Sequence, residues 1–177
     1  MRRTSLFLLL LLAACQQAAG PDQAGGGADT PSASGLERAA IESGVVADVG
    51  KISPVGLFQQ RHEAGRDMLC IVPGRNGTLH FGLEAIFGAE QSCHGQGAAR
   101  RAGDKLVLSF GGRDQCIIVA QYDGDQIALP GVVDMKCADL CDGRGSLEGV
   151  SFPRIAGQAG PAFAARDRAG ESLCAPD

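Results

Sequence analysis

Any chemistry in this chain has to come from three histidines, a set of cysteines, a few serines, and scattered carboxylates and arginines. His62, His80 and His94 are not at the spacing of a catalytic metal site. His62-Glu63 opens like the zinc-binding pattern His-Glu-x-x-His, but Arg66 stands where the second ligand has to be. Cys93-His94 with Cys137 and Cys141 offers zinc donor types. However, Cys137 and Cys141 are separated by Ala138-Asp139-Leu140, and no Cys-x-x-Cys occurs. In an oxidising compartment disulfides outweigh zinc, so neither a metal nor another cofactor is expected.

Nucleophilic serine chemistry fares no better. Ser146 lacks glycine two places before and after it, and Ser151 is followed by Phe152-Pro153 rather than the second glycine of a Gly-x-Ser-x-Gly elbow. Strand-edge serines are the simpler reading, and no catalytic residue is assigned. Asp123-Gly124-Asp125 lacks the further ligands of a calcium loop and reads as a hairpin turn. Asn76-Gly77-Thr78 has the form of a glycosylation acceptor, but Asn-Gly is foremost a two-residue turn.

Arginines are the remaining candidates. Arg100 and Arg101, with Asp104-Lys105, flank a turn, and Arg144 lies in the segment beyond the last cysteine pair. Guanidinium groups on an exposed tip can grip a carboxylate or phosphate bidentately, although a solvated charged turn looks the same in sequence. From Cys137 to Phe152, two cysteines four apart are followed by Asp142 and Arg144. A crosslinked loop of this kind is a common place for a partner-facing surface. Asp142 and Arg144 are the first candidates there, and the turn at Pro130-Gly131 comes next.

The elements that would carry these residues are mostly strands. Ser34-Gly35-Leu36-Glu37 has the form of a capping box, and 36–42 favours a helix of about two turns that ends at Gly44. Strands are expected at Met68–Val72 and Thr78–Phe81, joined through Asn76-Gly77, with Glu84–Phe87 extending or following the second. The glycine-rich stretch Gln91–Arg101 reads as a bent or bulged strand. Lys105–Phe110, Gln115–Tyr122 and Gln126–Leu129 form a meander across Gly111-Gly112 and Asp123-Gly124-Asp125, and Ser146–Phe152 supplies a late strand. About seven short strands with glycine at the turns imply a mainly β fold, a small antiparallel disulfide-stapled barrel or sandwich preceded by one short N-terminal helix. A barrel is favoured because an exported sheet gains from having no open edges.

The address is written at the N-terminus. Arg2 and Arg3 precede an apolar run from Leu6 to Ala14, which is far short of the ~20 residues that a membrane-spanning helix needs. Leu12-Ala13-Ala14-Cys15 resembles the lipobox of bacterial lipoproteins. That resemblance, confined to about the first sixteen residues, implies cleavage after residue 14 and lipidation of Cys15. It places the chain in the cell envelope, anchored through acyl chains. Gln16 implies the periplasmic face of the outer membrane if the host is Gram-negative. Residues 15–35 then form a lipidated cysteine and a disordered linker rich in Gly, Ala, Gln, Ser and Pro, and 36–177 form one globular domain.

With Cys15 set aside, Cys70, Cys93, Cys116, Cys137, Cys141 and Cys174 make an even set, the mark of a disulfide framework. Cys174, three residues from the end, is expected to bond Cys137 or Cys141 and pin the tail. The formal charge of −4 becomes −6 once Arg2 and Arg3 leave with the signal, since 14 basic residues then face 20 acidic ones. With no basic block, nucleic acid is excluded as a partner, and the membrane contact is the lipid anchor. The expected function is a non-enzymatic envelope lipoprotein, either a binding module for a protein, glycan or small ligand or a passive structural component. The alternative is an envelope hydrolase, or a thiol-redox enzyme with Cys137 and Cys141 as an exchangeable pair.

Overall fold

The computed structural model describes residues 35–112 and 116–174. The lipobox-like segment ending in Cys15, the linker before Gly35, Ser34 of the capping box and Gln115 lie outside the described residues. Among the described residues, a short helix α1 (Gly35–Glu42), with none of its residues buried, precedes eight strands. These are β1 (Gly56–His62), β2 (Gly65–Pro73), β3 (Leu79–Gly88), β4 (Gln91–Ala102), β5 (Lys105–Phe110), β6 (Ile117–Tyr122), β7 (Gln126–Ala128) and β8 (Ser151–Ala156). A one-turn helix α2 (Ala159–Phe163) follows. Each strand pairs antiparallel with the next, and β8 returns to β1 through Leu57↔Ala156 and Phe58↔Arg154. The sheet is therefore a closed up-and-down barrel rather than a sandwich, and closure removes both edges.

Strict alternation explains why these segments form a barrel wall. In β5, Leu106, Leu108 and Phe110 point inward, and in β6 so do Ile118, Ala120 and Tyr122. Phe58, Leu69, Ile71, Phe81, Leu83, Ile127 and Phe152 complete an interior filled by side chains. Burying each of these contributes ~1.5–3 kcal/mol. Phe81 and Phe110 meet edge to face with centroids 4.8 Å apart. An eight-stranded barrel is just narrow enough for such packing, so its inside is a core. Asn76 and Gly77 both take positive φ, as an Asn-Gly turn requires. The glycines of β4 let one long strand curve over its neighbour. A β-carbon at Gly97 would overlap the Ser109 carbonyl.

The structure departs from the sequence expectations in three places. Cys174 bonds Cys70, not Cys137 or Cys141; those two belong to the separate bridges Cys116–Cys137 and Cys93–Cys141. The reason is the path of the tail, which runs back along the outside of β2 and β3. Ala162, Ala165, Leu173 and Cys174 there cover Met68, Cys70 and Val72. Gly82 is the point of closest approach, because a β-carbon there would overlap the Leu173 carbonyl oxygen. The last strand starts at Ser151, and Leu147 plugs the core from the preceding loop. Finally, β1 is a strand in a segment to which the sequence expectations assign no element.

The end of the barrel at the β6–β7 turn is closed by stacked cations and rings. Arg154 lies 4.7 Å from the Phe58 ring centroid, and Arg101 lies 5.1 Å from that of Tyr122. The Tyr122 hydroxyl donates to the Ser53 carbonyl at 2.8 Å and accepts from Arg154. Burial raises its pKa, against the opposing pull of Arg154 and Arg101. A raised acid pKa means that the folded chain keeps a proton which the unfolded chain releases, so stability is lost as pH rises above the ordinary phenol value of about 10. Tyr122 is the only tyrosine and there is no tryptophan. Alkaline absorbance titration therefore reads it alone, and the expected midpoint lies above that of the denatured chain.

Candidate functional site

At the opposite end, where β1 turns into β2, an open cleft of about 470 Å³ lies outside the barrel wall. Arg61, His62, Ala64, Gly65, Arg66, Glu84, Ile86 and Arg168 line it. The hairpin register decides its character. Arg61 and Arg66 are direct cross-strand partners, so their side chains leave the same face of the sheet. Like charges placed opposite one another destabilise a sheet, and no hydrogen bond or ion pair takes either guanidinium among the described residues. Arg168 arrives from the tail, and its Nη1 donates to the Gly88 carbonyl at 3.4 Å.

Two buried carboxylates hold the walls. Asp67, 6% exposed, accepts the Ile86 backbone N–H at 2.7 Å and faces His62 Nε2 at 3.0 Å. With the carboxylate as acceptor, the imidazole is held in one orientation beside the cleft. Glu84, 8% exposed, accepts the Arg168 backbone N–H on both oxygens at 3.1 Å. That bond fastens the tail where Arg168 enters. Three arginines against the Glu84 and Asp67 carboxylates leave the cleft net positive, in a chain whose formal charge is −4. A smaller hollow of about 260 Å³ at the Tyr122 end is lined by Glu37, Asp104 and Asp123 and has the opposite sign. Local sign of this kind, rather than net charge, sets what a cleft attracts.

The residues singled out from sequence are dispersed. Arg101 does not project from its turn; it donates to the Val49 and Ile52 carbonyls and stacks on Tyr122, a structural task. Arg100 is exposed on β4 opposite Val107. Asp142 and Arg144 are exposed in the loop tied by Cys93–Cys141, where the Asp142 N–H donates to the Ser92 carbonyl at 2.7 Å. Neither lines the cleft. The Gly149 N–H donates to the Pro130 carbonyl at 2.9 Å, closing the base of that loop.

His94 stands on the outer face of β4 opposite Glu84, while Cys93 is bonded to Cys141 and Cys137 to Cys116, so the cysteines of the zinc pattern are held in two disulfides and offer no thiolate. Asp123 Oδ1 accepts from the N–H groups of Asp125 and Gln126 at 2.9 and 2.7 Å, which is the hairpin-turn role. Ser146 Oγ accepts from the Glu148 N–H at 3.2 Å, and Ser151 begins β8 opposite Ala128.

Sequence reasoning weighed His62 and Arg66 only as a broken zinc pattern and passed over Arg61 and Arg168. The available signal was the short stretch between Arg61 and Arg66, which places them opposite each other once it is taken as a hairpin. Compared with protein-family models, curated proteins and solved structures, the chain matches none.

Proposed function

We propose that this chain is a lipid-anchored envelope module whose cleft between the β1–β2 hairpin and the tail holds an anionic group of its partner. The opposed pair Arg61 and Arg66, whose guanidinium groups make no hydrogen bond or ion pair among the described residues, carries this reading. An oxyanion between them turns a destabilising like-charge pair into two charge-assisted hydrogen-bonded ones. The lipobox-like segment supplies the anchor, and three disulfides suit an oxidising envelope compartment.

Titration calorimetry of the purified full chain with inorganic phosphate tests the site. Arg61→Ala and Arg66→Ala are expected to weaken binding by about tenfold each, the worth of a charge-assisted hydrogen bond. Arg144→Ala is expected to leave it unchanged. Equal losses in all three variants would show unspecific screening instead of a site. Because the arginines are exposed, none of these substitutions opens the core.

A hydrolytic reading has one supporting observation, the imidazole of His62 oriented by Asp67 at the cleft wall, an arrangement that suits a general base. Residues that bring a serine, threonine or cysteine to the cleft are not among those lining it. A base there would have to activate water. His62→Ala separates the readings: a binding module keeps most of its affinity, while a hydrolase retains binding and loses turnover.

A further inference from the structure

We infer that the anion taken by this cleft is a phosphate monoester dianion on a hydroxylated carrier, an inference that rests on the anion-binding reading above. Three features of the cleft point this way. The first is charge: Arg61, Arg66 and Arg168 outnumber the Glu84 and Asp67 carboxylates, and a dianion engages more of that guanidinium charge than a carboxylate or phosphodiester does. The second is direction. The guanidinium groups come from three separate elements, β1, β2 and the tail. A carboxylate offers two oxygens in one plane, which a single guanidinium fork already satisfies. A monoester offers three terminal oxygens arranged around phosphorus, so each arginine can address its own.

The third feature is the remainder of the lining. About 470 Å³ exceeds what a phosphate alone fills, so the esterified group has room. Ala64, Gly65 and Ile86 give that group a small apolar floor, and among the described residues no Phe, Tyr or Trp lines the cleft for a base to stack on. The Glu84 oxygens accept from a single N–H and keep acceptor capacity for a hydroxyl on the carrier. A polyol monoester matches all three features, whether it is free or forms the headgroup of a lipid in the membrane that bears the anchor.

The test compares four soluble probes by calorimetry on the full chain: glycerol 3-phosphate, 1-hexanoyl lysophosphatidic acid below its micelle concentration, dimethyl phosphate and acetate. At about pH 8 the monoester is fully dianionic, since its second ionisation falls near 6. Both monoesters are expected to bind about tenfold or more tightly than dimethyl phosphate and acetate, with the preference lost in Arg66→Ala. Tighter binding of the lipid than of glycerol 3-phosphate assigns a membrane headgroup as the source, and equal binding assigns a free monoester. Equal affinity for monoester, diester and acetate would overturn the dianion assignment while leaving an anion site standing. Binding of none of the four would overturn both.

Discussion

Removing the Cys70–Cys174 bridge is expected to be the most damaging single change to this protein, in stability and in binding together. The bridge joins residues 104 apart, against 48 and 21 for the other two. Loop-closure entropy gives it about 5 kcal/mol, against about 3 kcal/mol for Cys116–Cys137. Alanine is the better replacement because both sulfurs are buried and a serine hydroxyl would need a partner. The local consequence matters more for function. Without the bridge, the tail is held by Ala162, Ala165 and Leu173 against the outer face of β2, and by Glu84 through one backbone N–H. Arg168 sits at the far turn of that strap.

Cys70→Ala/Cys174→Ala should therefore unfold at lower denaturant and also bind phosphate several-fold more weakly, the loss of roughly one charged contact. Cys116→Ala/Cys137→Ala should lose stability and keep its affinity. Equal affinity losses in the two double variants would mean that the tail does not deliver Arg168 to the site.

Arg154→Ala should cost about 3 kcal/mol or more of unfolding free energy, although the residue lies nowhere near the cleft. Its guanidinium donates to the carbonyls of Gly124 at 2.6 Å, Val55 at 3.0 Å and Ser53 at 2.9 Å, and to the Tyr122 hydroxyl. It also covers the Phe58 ring. One cation thus ties the segment entering β1 to the β6–β7 turn and to β8, across the seam where the barrel closes. Truncation strips those acceptors of their donor, at ~1–3 kcal/mol for each one that water cannot reach. Arg154→Lys should recover little, because an ammonium cannot match a planar fork addressing several acceptors. Chemical unfolding followed by Tyr122 emission measures both variants. A lysine variant as stable as the parent would show that charge alone matters there.

How far the fold could be read from sequence follows from where its burial is local. β5 and β6 alternate cleanly because one face meets the core and the other meets solvent, so Lys105–Phe110 and Ile117–Tyr122 stand where expected. β2 and β3 are buried on both faces, inside by the barrel and outside by the tail. β2 reads as a continuous apolar run from Met68 to Val72, whereas Gly82 and Glu84 interrupt β3 and divide it into two expected segments. β1 has only Phe58 pointing into the core cluster, while Leu57 packs under the tail and Gln59, Gln60 and Arg61 are polar. No alternation announces it. The same concealment hid the disulfide partner of Cys174, since the tail's return path depends on Gly82, a contact 91 positions away from Leu173 in the chain.

The cleft was hidden for a related reason. Its charges come from both arms of a hairpin with no Asn-Gly or Asp-Gly to mark it, and from a strap that reaches the site only after the barrel has closed. Arg100, Arg101, Asp142 and Arg144 were legible as charged residues beside turns. Sequence has no means of telling that Arg101 turns inward onto Tyr122.

The most direct test of the anion cleft is an amide chemical-shift titration of the full chain with glycerol 3-phosphate. Shifts are expected to concentrate at Gly65, Arg66, Ile86 and Arg168, to saturate, and to need about tenfold more ligand in Arg66→Ala. Saturating shifts centred instead on Asp142 and Arg144, or shifts that saturate at the same ligand concentration in Arg66→Ala, would contradict the assignment of this cleft as the binding site.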